Sequence, residues 1–128
     1  MLEIKHLSLT YGEAEKSLHD ITFSVADGEC VLLAGKSGSG KSSILRAING
    51  IAPSYDGASL EGEILIDGRA VEKMSMADLS QMIASVFQNP KTHFFNVDTT
   101  LELVFYLENI GLCREKMKER LEKMLALF

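Results

Sequence analysis

Gly35-Lys36-Ser37-Gly38-Ser39-Gly40-Lys41-Ser42 matches the phosphate-loop pattern G-x-x-x-x-G-K-[ST] without a mismatch. With glycine near 7% of residues in general, chance produces such a match in a chain this short with odds below about one in a hundred. The flanks agree with it. Before the motif, Cys30-Val31-Leu32-Leu33-Ala34 is a short apolar run that predicts a buried strand. After it, Ser43-Ile44-Leu45-Arg46-Ala47-Ile48-Asn49 predicts a helix. Strand, glycine-rich loop and helix in that order is the context a phosphate loop needs.

The residue types follow from the chemistry. Glycines free the backbone to turn successive N–H groups inward around an anion. The helix N-terminus adds unpaired donors and the positive end of its dipole. Lys41 would set a cation against the β- and γ-phosphates of a nucleotide, and the Ser42 hydroxyl would ligate Mg²⁺. Gly35, Lys36, Ser37, Gly38, Ser39, Gly40, Lys41, Ser42 and the following Ser43 are therefore the candidate nucleotide-binding residues, with ATP and Mg²⁺ as the implied ligands.

A chain of 128 residues suffices for one core. Its 46% apolar and 24% charged residues are those of a folded globular protein and exclude a disordered one. A net charge of −5 argues against nucleic acid as a partner, because such binding draws on a broad basic surface. Cys30 and Cys113 are read as reduced core thiols. The N-terminus lacks the apolar stretch of a signal peptide, and no run is long enough to span a bilayer, so a cytosolic location is expected. His6, His19 and His93 share no metal-ligand spacing and are read as structural or exposed.

Leu2 to Thr10 alternate in polarity with one break at His6-Leu7, which predicts a strand. A polar turn, Gly12 to Lys16, leads to a second strand, Leu18 to Ala26, and Asp27-Gly28 turns into the phosphate-loop run. Gly50 and Pro53 end the helix, and Ile51 to Gly62 read as a loop. Glu63 to Asp67 form a strand, and Ser75 with Asp78 caps a short helix from Met76 to about Ile83. Ala84-Ser85-Val86-Phe87 reads as a strand leading into Gln88-Asn89-Pro90. Thr99 with Glu102 caps the next helix, and Arg114 to Phe128 form an amphipathic one.

The order Tyr11, phosphate loop, Gly62-Glu63-Ile64-Leu65-Ile66-Asp67-Gly68, then Val86-Phe87-Gln88-Asn89-Pro90 resembles the N-terminal half of the ATP-binding subunit of ABC transporters. The resemblance covers essentially the whole chain. It implies an α/β P-loop NTPase fold with an antiparallel β portion, a P-loop β-α unit and the start of a helical subdomain. The implied division is 1–98 for the nucleotide-binding core and 99–128 for the helical part. Gln88-Asn89-Pro90, Phe94-Phe95 and Thr100-Leu101-Glu102-Leu103-Val104-Phe105, followed by Leu107-Glu108-Asn109, look like the energy-coupling-factor branch. That branch imports vitamins and transition-metal ions. His93 stands where it commonly has glutamine, and Tyr106 where it often has a small residue.

By this resemblance Tyr11 would stack on adenine, and Gln88 would touch Mg²⁺ and the attacking water. Phe94 and Phe95 would help receive a helix of the transmembrane subunit, placing the protein peripherally on the cytoplasmic face of the membrane. A second ATPase subunit, identical or different, would complete the nucleotide sandwich. The signature Leu-Ser-Gly-Gly-Gln motif, the Walker B glutamate and the switch histidine do not occur before Phe128. The sequence is therefore read as a fragment or a truncated gene product, whose parent is an enzyme and which alone is inactive. A nucleotide-binding or interaction module without turnover is the alternative from another class. A small P-loop kinase fits less well, since it needs neither Tyr11 nor Gln88-Asn89-Pro90.

Overall fold

A computed structural model of the protein describes residues 1–12, 16–54, 57–86, 88, 89 and 94–127. The elements are β1 (Leu2–Tyr11), β2 (Lys16–Val25), α1 (Lys41–Ile48), β3 (Ala58–Ile66), β4 (Arg69–Ala70), α2 (Met76–Met82), α3 (Thr99–Asn109) and α4 (Arg114–Leu125). They divide into two compact units, Met1–Ser85 and Val86–Phe128.

In the first unit β1 is central to an antiparallel sheet of order β2-β1-β3-β4. The break in polarity at His6-Leu7 is where the register shifts, between Ile4 and Leu7 against β2 and between Lys5 and Ser8 against β3. An irregularity there lets consecutive residues Leu7, Ser8 and Leu9 all be buried, which strict alternation forbids. Ile4, Leu7 and Leu9 meet Leu18 of β2, Ile64 of β3, and Ile44 and Ala47 of α1 in one core, joined by Val71 and Leu79. Each fully buried large aliphatic side chain contributes roughly 1.5–3 kcal/mol. At the end of α1, Gly50 N–H returns to the Ala47 carbonyl (3.0 Å) and Ile51 N–H to that of Arg46 (3.0 Å), the predicted stop. Ser75 caps α2 by accepting from Asp78 N–H (3.1 Å) while its hydroxyl donates to the Asp78 carboxylate (2.7 Å).

Five sequence expectations are corrected. Cys30–Ala34 is not a strand but unpaired chain, with Val31 44% and Leu32 87% exposed. A strand exists through its ladder, and no described strand pairs with this run. Cys30 is consequently exposed rather than core, and so is Cys113, which heads α4; both are free thiols. Ala84–Val86 likewise lacks strand structure and leaves Val86 96% exposed, while Phe87 lies outside the described residues. Residues 58–62, read as loop, are already strand: Ala58 to Leu60 pair with Leu9 to Tyr11, and pairing with β1 outweighs the local glycine signal. Finally, the cap of α3 is Asp98, whose carboxylate accepts from Thr100 and Leu101 N–H (2.8 and 3.1 Å), so Thr99 is already helical.

The second unit holds α3 and α4. Phe95 stacks on Phe105 of α3 with ring centroids 5.3 Å apart. Glu102, one turn into α3, accepts from the backbone N–H groups of Phe95 and Asn96 (3.1 and 2.9 Å) and fastens the preceding segment. On α4, Met117 and Leu121 are half-buried, and Lys123–Glu119 is an exposed ion pair at 2.7 Å on the polar side.

Candidate phosphate-binding site

The loop between residues 35 and 41 folds around its own lysine. Lys41 Nζ donates to the carbonyl oxygens of Gly35 (2.9 Å) and Lys36 (2.7 Å) and to Ser39 Oγ (3.3 Å). Ser39 N–H closes a turn onto the Lys36 carbonyl at 3.2 Å. The ammonium thus sits among neutral oxygens.

Gly40 heads α1 with φ +87°, a left-handed conformation that side chains other than glycine's rarely tolerate. Space forbids a side chain as well. A Cβ on Gly40 would come within 2.5 Å of Leu18 Cδ2 and 3.0 Å of the Ser17 carbonyl oxygen. The start of β2 therefore presses directly on the helix cap, a contact that no motif announces. The first bond within the helix runs from Ile44 N–H to the Gly40 carbonyl (3.0 Å), so residues 41–43 present N–H groups with no acceptor inside the helix. No side chain caps this end and no acidic residue lies in the first turn, while Arg46 complements the last turn. Such a terminus favours an anion. The Ser42 hydroxyl is exposed beside it, and Ser43 is half-buried.

Lys41, Ser42 and Ser43 are thus brought together with Gly35, Lys36, Ser37, Gly38, Ser39 and Gly40 in one compact loop and helix start. Tyr11, at the end of β1 opposite Ala58, is half-buried and packs against the core. Its hydroxyl is buried with no hydrogen-bond partner among the described residues. Gln88 is exposed in the second unit, as are Phe94 (65%) and Phe95 (74%). His6 pairs with Asp20 (2.7 Å), both exposed, and His93 lies outside the described residues. Among the described residues no three His, Cys, Asp or Glu side chains gather as a metal site. A cavity of about 130 Å³ between α1, β3 and α2, floored by Ala47, Ile64, Val71 and Leu79, includes none of residues 35–43 in its lining. No helix among the described residues is long and apolar enough to cross a membrane.

Comparison with known proteins adds to the geometry. The family described as "ABC transporter" matches residues 18–128. A putative ABC transporter ATP-binding protein of Treponema denticola is 44% identical over 97% of this chain and 26% of its own length. The energy-coupling factor transporter ATP-binding protein EcfA1 of Streptococcus pneumoniae is 37% identical over 99% of this chain and 45% of its own. A solved dimeric post-hydrolysis state of the ATP-binding cassette MJ0796, bound to ADP and Pi, superposes with a TM-score of 0.72 at 25% identity. That match covers 98% of this chain and 56% of the other. The chain spans about a quarter to about half the length of these relatives. The phosphate loop, the sheet beside it and these matches lead to one conclusion: the chain belongs to the ABC transporter family, as an ATP-binding component with the N-terminal half of its P-loop NTPase fold.

Proposed function

We propose that these residues form the nucleotide-binding part of an ABC transporter ATPase of the energy-coupling-factor type, which couples ATP hydrolysis to import of a vitamin or metal ion. The observation that carries the reading is the Lys41 ammonium held on three oxygens of its own loop beside an uncapped helix start. Phosphate oxygens, being charged, would replace those neutral acceptors with stronger ones. In this reading residues 1–98 carry the nucleotide and 99–128 begin a helical subdomain.

Within it, the N–H groups along 35–43 wrap the phosphates and Lys41 neutralises the β- and γ-oxygens. Ser42 and Gln88 are the residues that would hold Mg²⁺, which when bound screens phosphate charge against the attacking water. Gln88 would orient that water, since a neutral amide can donate and accept at once. Tyr11 would lie against the adenine. Phe94 and Phe95 would meet the transmembrane subunit, and a second ATPase subunit would supply the remaining transition-state contacts. The protein would then sit at the cytoplasmic face of the membrane without crossing it. The similarity to EcfA1 supports the branch.

Calorimetry on the full-length protein tests the core of this reading. Lys41→Ala is expected to weaken MgATP binding by about tenfold or more, the loss typical of a hydrogen bond to a charged group. Equal affinity for both proteins would rule out the phosphate loop as the nucleotide site.

A further inference from the structure

We propose that His6, Ser8 and Asp20 are positioning residues for the nucleotide, locking a crease in the sheet that presses the head of β2 onto the phosphate loop. The proposal rests on the reading of 35–43 as the ATP site.

The crease crosses three adjacent strands. His6 on β1 has φ +51° and Asp20 on β2 φ +48°, left-handed values that are uncommon outside glycine, although Asp and His reach them more readily than most side chains. On β3 the same line is continued by Gly62 at φ +93°, where a Cβ would collide with the carbonyl oxygens of Lys5 and His6. Three hydrogen bonds hold this geometry. His6 N–H donates to Thr22 Oγ1 (2.9 Å), Asp20 N–H donates to Ser8 Oγ (3.0 Å), and His6 Nδ1 pairs with the Asp20 carboxylate at 2.7 Å. Ser8 is itself buried, so its hydroxyl cannot turn to solvent instead.

Both β-pairings of β1 slip at this line. Beyond it lie Leu9 and its partner Leu18, and Leu18 with Ser17 leaves no room for a Cβ on Gly40. The angle of the crease therefore sets where Leu18 bears on the cap of α1, only two residues from Asp20. A shift there moves the N–H groups that must converge on phosphate, and small misplacements of such groups are costly.

The test measures MgATP and tripolyphosphate affinity in the full-length protein alongside urea unfolding. His6→Val and Asp20→Val, β-branched at left-handed positions, are expected to weaken both ligands by about tenfold. His6→Asn, which tolerates the left-handed region, should hold both within about twofold of the parent. Ile64→Val, a core change in β3, serves as the stability control and should leave affinity within about twofold. Equal losses in Ile64→Val and His6→Val at matched stability would overturn the proposal, as would failure of His6→Asn to keep affinity. If the valine variants do not fold, Ser8→Ala carries the test, since it deletes only the acceptor of Asp20 N–H; unchanged affinity then overturns it. Lys41→Ala run in parallel separates the two ideas. If it binds normally the nucleotide reading fails, and if it alone weakens binding only the crease fails.

Discussion

Lys41 and Tyr11 are the two residues whose surroundings say most about how a nucleotide would be met. Lys41 already has three oxygens of its own loop as acceptors, so binding exchanges neutral acceptors for charged ones. Tyr11 poses the opposite case, since its hydroxyl is buried without a partner among the described residues. Tyr11→Phe should therefore raise the stability of the nucleotide-free protein, by about 1 kcal/mol, because it removes an unsatisfied polar atom and keeps the ring. Urea unfolding reads that gain, and a loss would mean the hydroxyl has a partner after all. Tyr11→Ala should weaken ATP by about 1–3 kcal/mol if the ring stacks on the base, and leave tripolyphosphate alone. Should both ligands weaken alike, the ring serves the core it packs against and not adenine.

At the level of elements, the start of α3 depends on carboxylates. Backbone hydrogen bonds from Asn96 and then Phe95, with the Asn96 side chain, hold the Glu102 carboxyl below its ordinary value of 4.5. The folded value lies below the unfolded one, so the contribution is fully present above about pH 4.5 and is lost as pH falls through the folded value. With the intrinsic pH dependence of exchange divided out, protection of the Phe95 and Asn96 amides should fall on acidification below that point, and Glu102→Gln should flatten the profile. Protection that ignores pH in the parent would show that Glu102 does not fasten this segment. The same helix shows what could be read in advance. Thr99 and Glu102 announced a helix start, yet Asp98 competes for the capping position with a charged acceptor, and it wins by one residue. The phosphate loop and the stop at Gly50 were legible because local chemistry dictates them. The fate of Cys30–Ala34 was not, because apolarity predicts burial but only a neighbouring strand can deliver it. Leu18 against Gly40 left no trace in the sequence, being an ordinary apolar strand residue whose importance comes from where β2 lands.

For the molecule as a whole, the polypeptide 1–128 taken alone is expected to bind nucleotide weakly and to show no ATP turnover above background. Neither the loop 35–41 nor the first turn of α1 carries a carboxylate that could serve as general base for water, and transition-state charge would be only partly met. The polypeptide should also self-associate, because Val31, Leu32 and Val86 are exposed apolar side chains on unpaired backbone. A monodisperse monomer by analytical ultracentrifugation, with turnover abolished by Lys41→Ala, would contradict both statements. The bare run at Cys30–Ala34 also has a consequence in time. The four-stranded sheet closes within the first 70 residues, so it can form while the ribosome is still at work. If synthesis continues to the length of the Streptococcus pneumoniae relative, of which this chain covers 45%, the run waits while more than a hundred further residues are added. At typical elongation rates that is about 10–30 s in which Leu32 is open to chaperones and proteases. Nascent chains stalled after Phe128 should be cut by a mild protease near Leu32, and released full-length chains should resist it.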